Sequence, residues 1–312
     1  MLNREIIDNS IDIDKDTGVL FIGDVNLETP LRITYEIANK AKRVMQRNNL
    51  KKLNIGSPFI KDQDVSFIYE FGFLESLSIG FDNFDIDVIY SCLDLKELNI
   101  SFSFNDSIDF VRFPKLNKVF IDWENAGVET LFNCPQLEEV SLMKYSGLSL
   151  ADFEALPNLK KLVLYEPKVI SLNGIDRLEK LEQFEISTAK KLQDLGNIEE
   201  CHNMKTLILH GAKNVADLSP IMYLKNLQEL RLDTLGKIPT IKFLKTLKNL
   251  ERFNMVDNTN VEDGDLSVLA YLRKEHKLDK VNFPKRRHYS HTPEQLGYII
   301  PPEVAAIFSK KK

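Results

Sequence analysis

The chain has 312 residues, of which 43% are hydrophobic and 28% are charged, proportions usual for a soluble protein. A formal net charge of -5 is small for this length, so charge alone gives no reason to expect nucleic acid or an acidic membrane as a partner. The acidic opening MLNREIIDNSIDIDKD does not fit the apolar core of a signal peptide, and no stretch approaches the roughly 18 uninterrupted apolar residues of a membrane span. These features predict a cytoplasmic protein.

Residues 1–49 lack the pattern that follows them and predict an N-terminal cap. A strand with a turn behind it is expected over Gly18 to Asn26. Thr29 is a candidate N-cap, Pro30 suits the first helical position, and residues 31–47 are rich in helix formers. The predicted strand and helix would cover the open end of the array, because an uncapped repeat exposes its apolar interior.

Residues 50–283 contain a repeated sequence pattern. The segments LKKLVL, LEQFEI, MKTLIL, LQELRL and LERFNM each begin with an apolar residue, which we call the anchor, and these anchors are 22, 23, 23 and 23 residues apart. A fixed period in this range is the signature of a leucine-rich repeat solenoid. The eleven anchors are Leu50, Leu74, Leu95, Leu116, Leu137, Leu159, Leu181, Met204, Leu227, Leu250 and Leu278.

Places within a repeat are counted from its anchor. In a short strand the fourth and sixth residues point inward, and alternation sends the third, fifth and seventh to the open face. Leu53 with Ile55, and Leu230 with Leu232, are such inward pairs. The pattern predicts an α/β horseshoe with a concave parallel sheet of about eleven strands, on the order of 50 Å long.

A second apolar rhythm, with period three, runs before each anchor, as in Val65, Ile68 and Phe71. This period favours 3₁₀ or short helical turns on the convex side. The longer last unit leaves room for a true helix over Asp265 to Lys277. The three cysteines, Cys92, Cys134 and Cys201, lie three residues before an anchor, where other repeats place Phe or Leu. They are therefore predicted to be core residues.

Residues 284–312 leave the pattern and contain a basic cluster, an apolar patch from Leu296 to Ile300 and a closing lysine run. One interpretation is a C-terminal cap whose apolar part packs on the last repeat and whose end frays. The other is a docking site for phosphate or acidic protein formed by Lys285, Arg286, Arg287 and His288. We favour the cap.

The segment DLSPIMYLKNLQELRL, from Asp217 to Leu232, resembles the short repeats of bacterial internalins and of a eukaryotic phosphatase-1 regulatory subunit. Asn158, Asn226 and Asn249 stand just before an anchor, as in the xNLxxLxL form of that class. The resemblance implies a binding scaffold. One departure is the ninth place, where such repeats usually hold an Asn that satisfies the turn backbone and where only Asn258 matches here. The turns must therefore be satisfied in another way.

No motif in the sequence specifies catalysis. Phosphate loops, dinucleotide fingerprints, HExxH and nucleophile elbows are missing from the sequence. His210 is expected on the open face near Glu185 and Asp233 and could act as a base, but a surface or binding histidine is the simpler interpretation. His202 beside Cys201, and His288 with His291, fall short of a metal site. We expect no enzyme, no metal and no cofactor.

Large apolar side chains at open places are the strongest functional signal. Phe120, Trp123, Met143, Tyr145, Val163, Tyr165 and Ile208 would form a nearly contiguous stripe, and such surfaces mark interaction sites. Cross-strand packing could equally retain some of them, and Trp123 could tuck under a loop. The predicted partner-binding residues are Phe120, Asp122, Trp123, Met143, Tyr145, Val163, Tyr165, Glu166, Glu185, Ile208, His210, Arg231 and Asp233.

The sequence thus predicts a non-enzymatic, bacterial, cytoplasmic module that binds a partner protein on its concave face. Because acidic residues slightly outweigh basic ones there, a partner with a basic, partly apolar surface is expected. An immunity-type inhibitor and an adaptor are both compatible with this prediction. The alternative, implied by the resemblance, is a regulatory subunit of a protein phosphatase. A role for His210 in catalysis or for the basic tail in nucleic-acid binding ranks third.

Overall fold

A computed structural model describes residues 3–8, 10–23, 33–56, 64–104, 106–215 and 217–297. Within these ranges the chain forms sixteen strands and two α-helices. The strands are β1 (Arg4–Asp8), β2 (Ile11–Asp14), β3 (Val19–Ile22), β4 (Lys52–Ile55), β5 (Ser76–Ile79), β6 (Glu97–Ile100), β7 (Lys118–Asp122), β8 (Glu139–Met143), β9 (Lys161–Tyr165), β10 (Gln183–Ser187), β11 (Thr206–His210), β12 (Glu229–Asp233), β13 (Lys237–Ile238), β14 (Arg252–Asn254), β15 (Asn260–Val261) and β16 (Lys280–Asn282).

The helices are α1 (Tyr35–Arg47) and α2 (Ser267–Glu275). Short 3₁₀ segments precede the strands, as the period-three rhythm predicts. They span Ser66–Glu70, Ile86–Ser91, Phe110–Arg112, Val128–Asn133, Ala151–Ala155, Ile175–Arg177, Ile198–Glu200, Ser219–Tyr223 and Lys242–Thr246; one further 3₁₀ segment, Glu294–Leu296, follows the last strand.

Fourteen strands form one sheet in chain order, β1 to β12 followed by β14 and β16, and β13 pairs with β15 in a small second sheet. Eleven of the fourteen follow the predicted anchors. The parallel register is that of the repeat, since Leu53 pairs with Leu77 and Ile55 with Ile79. Inward residues at the fourth and sixth places are buried throughout the array. The predicted leucine-rich repeat fold is therefore confirmed, and three strands join the sheet in addition to the eleven of the repeats.

The three additional strands come from the N-terminal segment. β3 corresponds to the predicted strand, and β1 and β2 form an antiparallel hairpin that joins it, with Ile13 opposite Leu20. The alternation of Ile11, Asp12, Ile13 and Asp14 was the sequence signal for β2. Helix α1 begins at Tyr35, where the Thr34 hydroxyl accepts a hydrogen bond from the Ile37 amide at 3.3 Å. The expected caps Thr29 and Pro30 lie outside the described residues.

The chain divides into two compact units. The first comprises Met1–Ser146 and Ala155–Leu164, and the second comprises Gly147–Glu154 and Tyr165–Lys312. Cys92 and Cys134 in the first unit and Cys201 in the second are buried and not in disulfides, as predicted. Helix α2 confirms the helix expected in the last, longer repeat.

Asparagines before the anchors connect successive repeats in the second unit. The side-chain amides of Asn203, Asn226 and Asn249 donate to the carbonyls of Glu179, His202 and Lys225 at 2.8, 2.8 and 2.9 Å. Asn158 makes the same contact with Pro135 in the first unit, at 2.9 Å. The asparagine that gives the repeat its family likeness therefore has a structural role, because each amide satisfies a carbonyl of the preceding repeat.

Exit turns, which leave the strands at their C-terminal ends, are built in two ways. After β8 to β12 the eighth-place residue has a positive φ: Lys144, Glu166, Thr188, Gly211 and Thr234. After β7 and β14 a buried polar residue at the tenth place binds the preceding turn; after β14 this comes in addition to a left-handed Asp257 at the eighth place, with a φ of 56°. Asn125 accepts from the Phe104 amide at 3.2 Å, and Thr259 donates to the Leu232 carbonyl at 2.7 Å. The missing ninth-place asparagine is thus replaced, and Asn258 itself is exposed.

Candidate protein-interaction surface

The first unit retains three of its six predicted contact residues at the surface. Phe120, Trp123 and Met143 are half-buried, whereas Asp122, Val163 and Tyr145 are buried. The predicted apolar stripe is therefore interrupted within this unit.

Tyr145 corrects the prediction most clearly, because its side chain is completely inaccessible. The reason is the residue before it. Lys144 has a φ of 56°, which breaks the strand alternation and turns the next side chain into the core. Apolar or small residues at the same ninth place, namely Pro167, Ala189, Ala212 and Leu235, were a sequence signal for this inward position.

Trp123 packs on the side of Tyr145 and does not project freely. The two rings meet edge to face with centroids 4.9 Å apart, and Phe132 lies 5.9 Å from the indole. The indole Nε1–H donates to the Ser146 hydroxyl at 2.8 Å. The alternative that this tryptophan tucks under a loop therefore describes the structure better than a free contact residue does.

Asp122 and Val163 are the other corrections in this unit. The Asp122 carboxylate accepts from the Glu124 amide at 2.9 Å and pairs with the Lys144 amino group at 3.0 Å. Hydrogen bonds to Glu124 and Asp122 raise the pKa of Lys144 above its usual value, so the lysine stays charged. Val163 is 3% exposed although it stands at a fifth place. Neither residue can offer a partner the contact that we predicted.

The second unit places an apolar side chain at the centre of charged neighbours. Ile208, at the fifth place of β11, is half-buried and lies in register with Glu185 of β10 on one side and Arg231 of β12 on the other. His210 stands at the seventh place of the same strand and is also half-buried. We call Glu185, Ile208, His210 and Arg231 the Ile208 patch. These four predicted residues do lie together on the open face.

The polar members of the Ile208 patch are held by local hydrogen bonds. Nδ1 of His210 accepts from the Thr188 amide at 3.3 Å, which places the proton of a neutral ring on Nε2. Glu185 accepts from the Ser187 hydroxyl at 3.1 Å. These bonds fix the side chains before any partner arrives, which lowers the entropy lost on binding.

Tyr165 and Glu166 lie at the start of the second unit. Tyr165 is half-buried and Glu166 is exposed. Burial, together with the negative charge of Glu185, raises the pKa of the Tyr165 hydroxyl, so the phenol remains protonated and able to donate a hydrogen bond.

Asp233 is a further correction, because it is 3% exposed. Its carboxylate pairs with the Arg231 guanidinium two residues earlier on the same strand, at 2.7 Å. Both Asp122 and Asp233, which had suggested a basic partner, therefore have a basic side chain of their own. The open face offers a partner fewer free carboxylates than its sequence suggests.

The C-terminal basic cluster contributes contacts to the last repeats. Arg286 donates to the Thr259 carbonyl at 3.2 Å, the His288 ring donates to the Val261 carbonyl at 2.9 Å, and the Tyr289 hydroxyl accepts from the Val261 amide at 3.0 Å. Leu296 is buried. For residues 284–297 these contacts support the cap; Lys285 and Arg287 are exposed, and residues 298–312 lie outside the described ranges.

Metal binding finds no geometric support in the part of the chain that the structure describes, where no three His, Cys, Asp or Glu side chains could hold one ion. Of the two α-helices, with 13 and 9 residues, neither is long and apolar enough to cross a bilayer within those same ranges.

The fold and the repeat contacts define the class: the chain has the leucine-rich repeat fold. Its fold resembles that of an internalin from Listeria monocytogenes, with 16% identity, a TM-score of 0.56, and coverage of 90% of this chain and 84% of that one. A leucine-rich repeat protein from Leptospira interrogans is 18% identical over 92% of both chains, with a TM-score of 0.41. No protein-family model and no curated protein matches the sequence.

Proposed function

We propose that the protein is a non-enzymatic interaction module that binds a partner protein through the Ile208 patch and acts by occupying the partner's surface. The observation that carries this proposal is the register of β10, β11 and β12, which sets a partly exposed aliphatic side chain between Glu185 and Arg231. Protein interfaces combine an apolar centre with a polar rim, and a few central residues supply most of the binding energy.

The charges of the Ile208 patch favour a partner of mixed character. Glu185 has no ion pair among the described residues, and Arg231 shares its charge with Asp233. With Asp122 and Asp233 buried, the open face no longer favours a purely basic partner. A partner surface with an apolar centre and both signs of charge fits better.

Site-specific photo-crosslinking tests the proposal. A photoreactive amino acid replaces Ile208 in one variant and Tyr223 in the other; Tyr223 is 53% exposed on a 3₁₀ segment in the same unit. We expect one protein to be crosslinked from position 208 and not from position 223.

The crosslinked protein is then purified, and its affinity is measured for the wild type, Ile208→Arg and Tyr223→Arg. Because Ile208 is central, Ile208→Arg is expected to lower the affinity at least about tenfold, and Tyr223→Arg less than about twofold. Thermal unfolding checks that both variants fold. Equal crosslinking from the two positions, or equal affinities of the two variants, would contradict the proposal.

A further inference from the structure

Three successive exit turns of the second unit each carry a lysine at the tenth place of the repeat. These are Lys168, Lys190 and Lys213, and Lys191 adds a fourth at the eleventh place. All four side chains are exposed. We call them the lysine row. They belong to the turns, whereas the Ile208 patch belongs to the strands.

Buried residues on both sides of each tenth-place lysine orient that lysine toward solvent. In each turn the residue before the tenth-place lysine is buried: Pro167, Ala189 and Ala212. The chain turns inward again at Val169, Leu192 and Val215. Because the backbone is anchored on both sides of each lysine, the tenth place must face solvent in all three turns.

Hydrogen bonds between the turns hold the backbone that carries these lysines. The Asn214 side chain donates to the carbonyl of Lys190 at 2.8 Å, and the Gln193 amide donates to the Ile170 carbonyl at 2.8 Å. Ser171 donates to the Asp194 carboxylate at 2.6 Å. The backbone positions from which the lysines extend are therefore set before binding.

Lysines at the second place of four repeats, by comparison, pair with a glutamate at the second place of an adjacent repeat. Lys51 and Lys96 both reach Glu75 at 2.6 Å, Lys160 reaches Glu138 at 2.9 Å, and Lys205 reaches Glu182 at 2.7 Å. In the described ranges, by contrast, no carboxylate lies within 4.0 Å of any amino group of the lysine row.

Carboxylates in the same turns bind other groups. Asp194 accepts from Ser171 and from the Gly196 amide, and Asp217 accepts from the Ser219 amide at 2.8 Å. Neighbouring strands of a sheet are about 4.8 Å apart, so adjacent lysines lie within the roughly 8 Å screening length of physiological salt. Their mutual repulsion favours the binding of an external anion.

We propose that the lysine row is a second docking surface, which binds an acidic, extended segment of a protein. A nucleic acid fits less well, because single strands are usually held by stacking of their bases on aromatic side chains. The turns, EPKVISL, TAKKLQDL and GAKNV, contain no aromatic residue on which a base could stack. This surface is independent of the Ile208 patch.

Fluorescence anisotropy with labelled probes tests the proposal. The probes are a short peptide alternating Glu and Ser, the same peptide with Gln in place of Glu, and an oligothymidylate of equal length. The wild type is expected to bind the Glu peptide, with an affinity that falls as salt rises, and to bind the other two more weakly.

Two matched quadruple variants locate the binding. Replacement of Lys168, Lys190, Lys191 and Lys213 by Ser is expected to lower the affinity for the Glu peptide at least about tenfold. The control replaces four ion-paired lysines by Ser, namely Lys51, Lys96, Lys160 and Lys205. It removes the same amount of charge and is expected to change the affinity for the Glu peptide less than about twofold. Replacing the lysine row by Arg preserves the charge and should retain binding.

Three outcomes would overturn the proposal. They are a wild type that ignores the Glu peptide, an equal loss in the two Ser quadruples, and tighter binding of the oligothymidylate than of the peptide. Circular dichroism confirms that each variant is folded, and the Arg variant provides the comparison if the Ser variant of the row does not fold.

Discussion

The exit turns after β9 to β11 and the exit turn after β7 solve the same backbone problem in different ways. The second kind, after β7, uses the buried polar side chain of Asn125 to bond the preceding turn, whereas the turn after β14 combines Thr259 with a left-handed Asp257. The first kind uses a left-handed residue and then buries a small one, such as Ala189 or Ala212. In the second kind the tenth place is internal, and in the first it is free to carry an exposed lysine.

This difference shows that a repeat gains an exposed position when the backbone of its exit turn needs no hydrogen bond from a side chain. Where a side chain at the tenth place must point into the turn to satisfy its backbone, that position cannot contact a partner. Where left-handed dihedral angles close the turn without such a side chain, the tenth place is exposed and its residue type can vary. Three experiments test how far this division holds.

The largest effect is expected for Tyr145→Ala, because this ring is fully buried at the ninth place after a left-handed residue. Loss of its packing against Trp123 should lower the free energy of unfolding by about 4 kcal/mol. Met143→Ala, two residues earlier and half-buried on the open face, should cost under about 1 kcal/mol. Urea unfolding of both variants measures this; similar losses would show that the ninth place is not internal.

Cysteine reactivity tests the position three residues before the anchor, which is buried whichever kind of exit turn the repeat has. Burial raises the pKa of the Cys92 thiol to about 11 and that of Cys201 to about 12. At pH 8 the thiolate of Cys92 is therefore roughly a hundredfold rarer than that of a thiol with the ordinary pKa, even before steric protection is counted.

A disulfide reagent should consequently modify none of the three cysteines quickly in the folded protein and all three in denaturant. Because the thiol pKa is raised in the folded state, this contribution to stability is present below the ordinary pKa and is lost as pH rises towards 11. Rapid modification of the folded protein at pH 8 would show that these repeats open.

The smallest effects come from exchanging the left-handed residues of two adjacent turns. Gly211 has a φ of 75°, and a Cβ there would lie 3.1 Å from the Thr188 Cα, so Gly211→Thr should cost about 2 kcal/mol. Thr188 has a φ of 56°, and Thr188→Gly should stabilise the protein by about 0.5 kcal/mol. Thermal unfolding distinguishes them; a shift of the same sign in both would contradict the left-handed requirement.

The regular parts of the fold were predictable because each depends on a local pattern. The anchors define the strands, and the inward positions of Leu53, Leu98 and Leu230 follow from alternation. The core position of the cysteines follows from their substitution by Phe and Leu in other repeats. The hairpin of β1 and β2 was missed because its charged residues alternate with isoleucine in a segment outside the repeat.

The candidate site was only partly predictable, because exposure at a strand exit depends on one dihedral angle. The positive φ of Lys144 turns the side chain of Tyr145 into the core. Lysine has no preference for positive φ, so the sequence did not predict this turn. Asp233 was misplaced for a different reason: its burial depends on the pairing with Arg231 along the same strand. Ile208, by contrast, lies in the interior of a regular strand, where alternation holds.

The amides of Asn203, Asn226 and Asn249 tie three successive repeats of the second unit, each to the one before it. Under tension applied to the chain end, these hydrogen bonds would break one after another, one repeat at a time. Consecutive anchors here are 23 residues apart, so each parted link would release about 80 Å of slack. The 23-residue period of the sequence would thus also be the length of each of these mechanical steps.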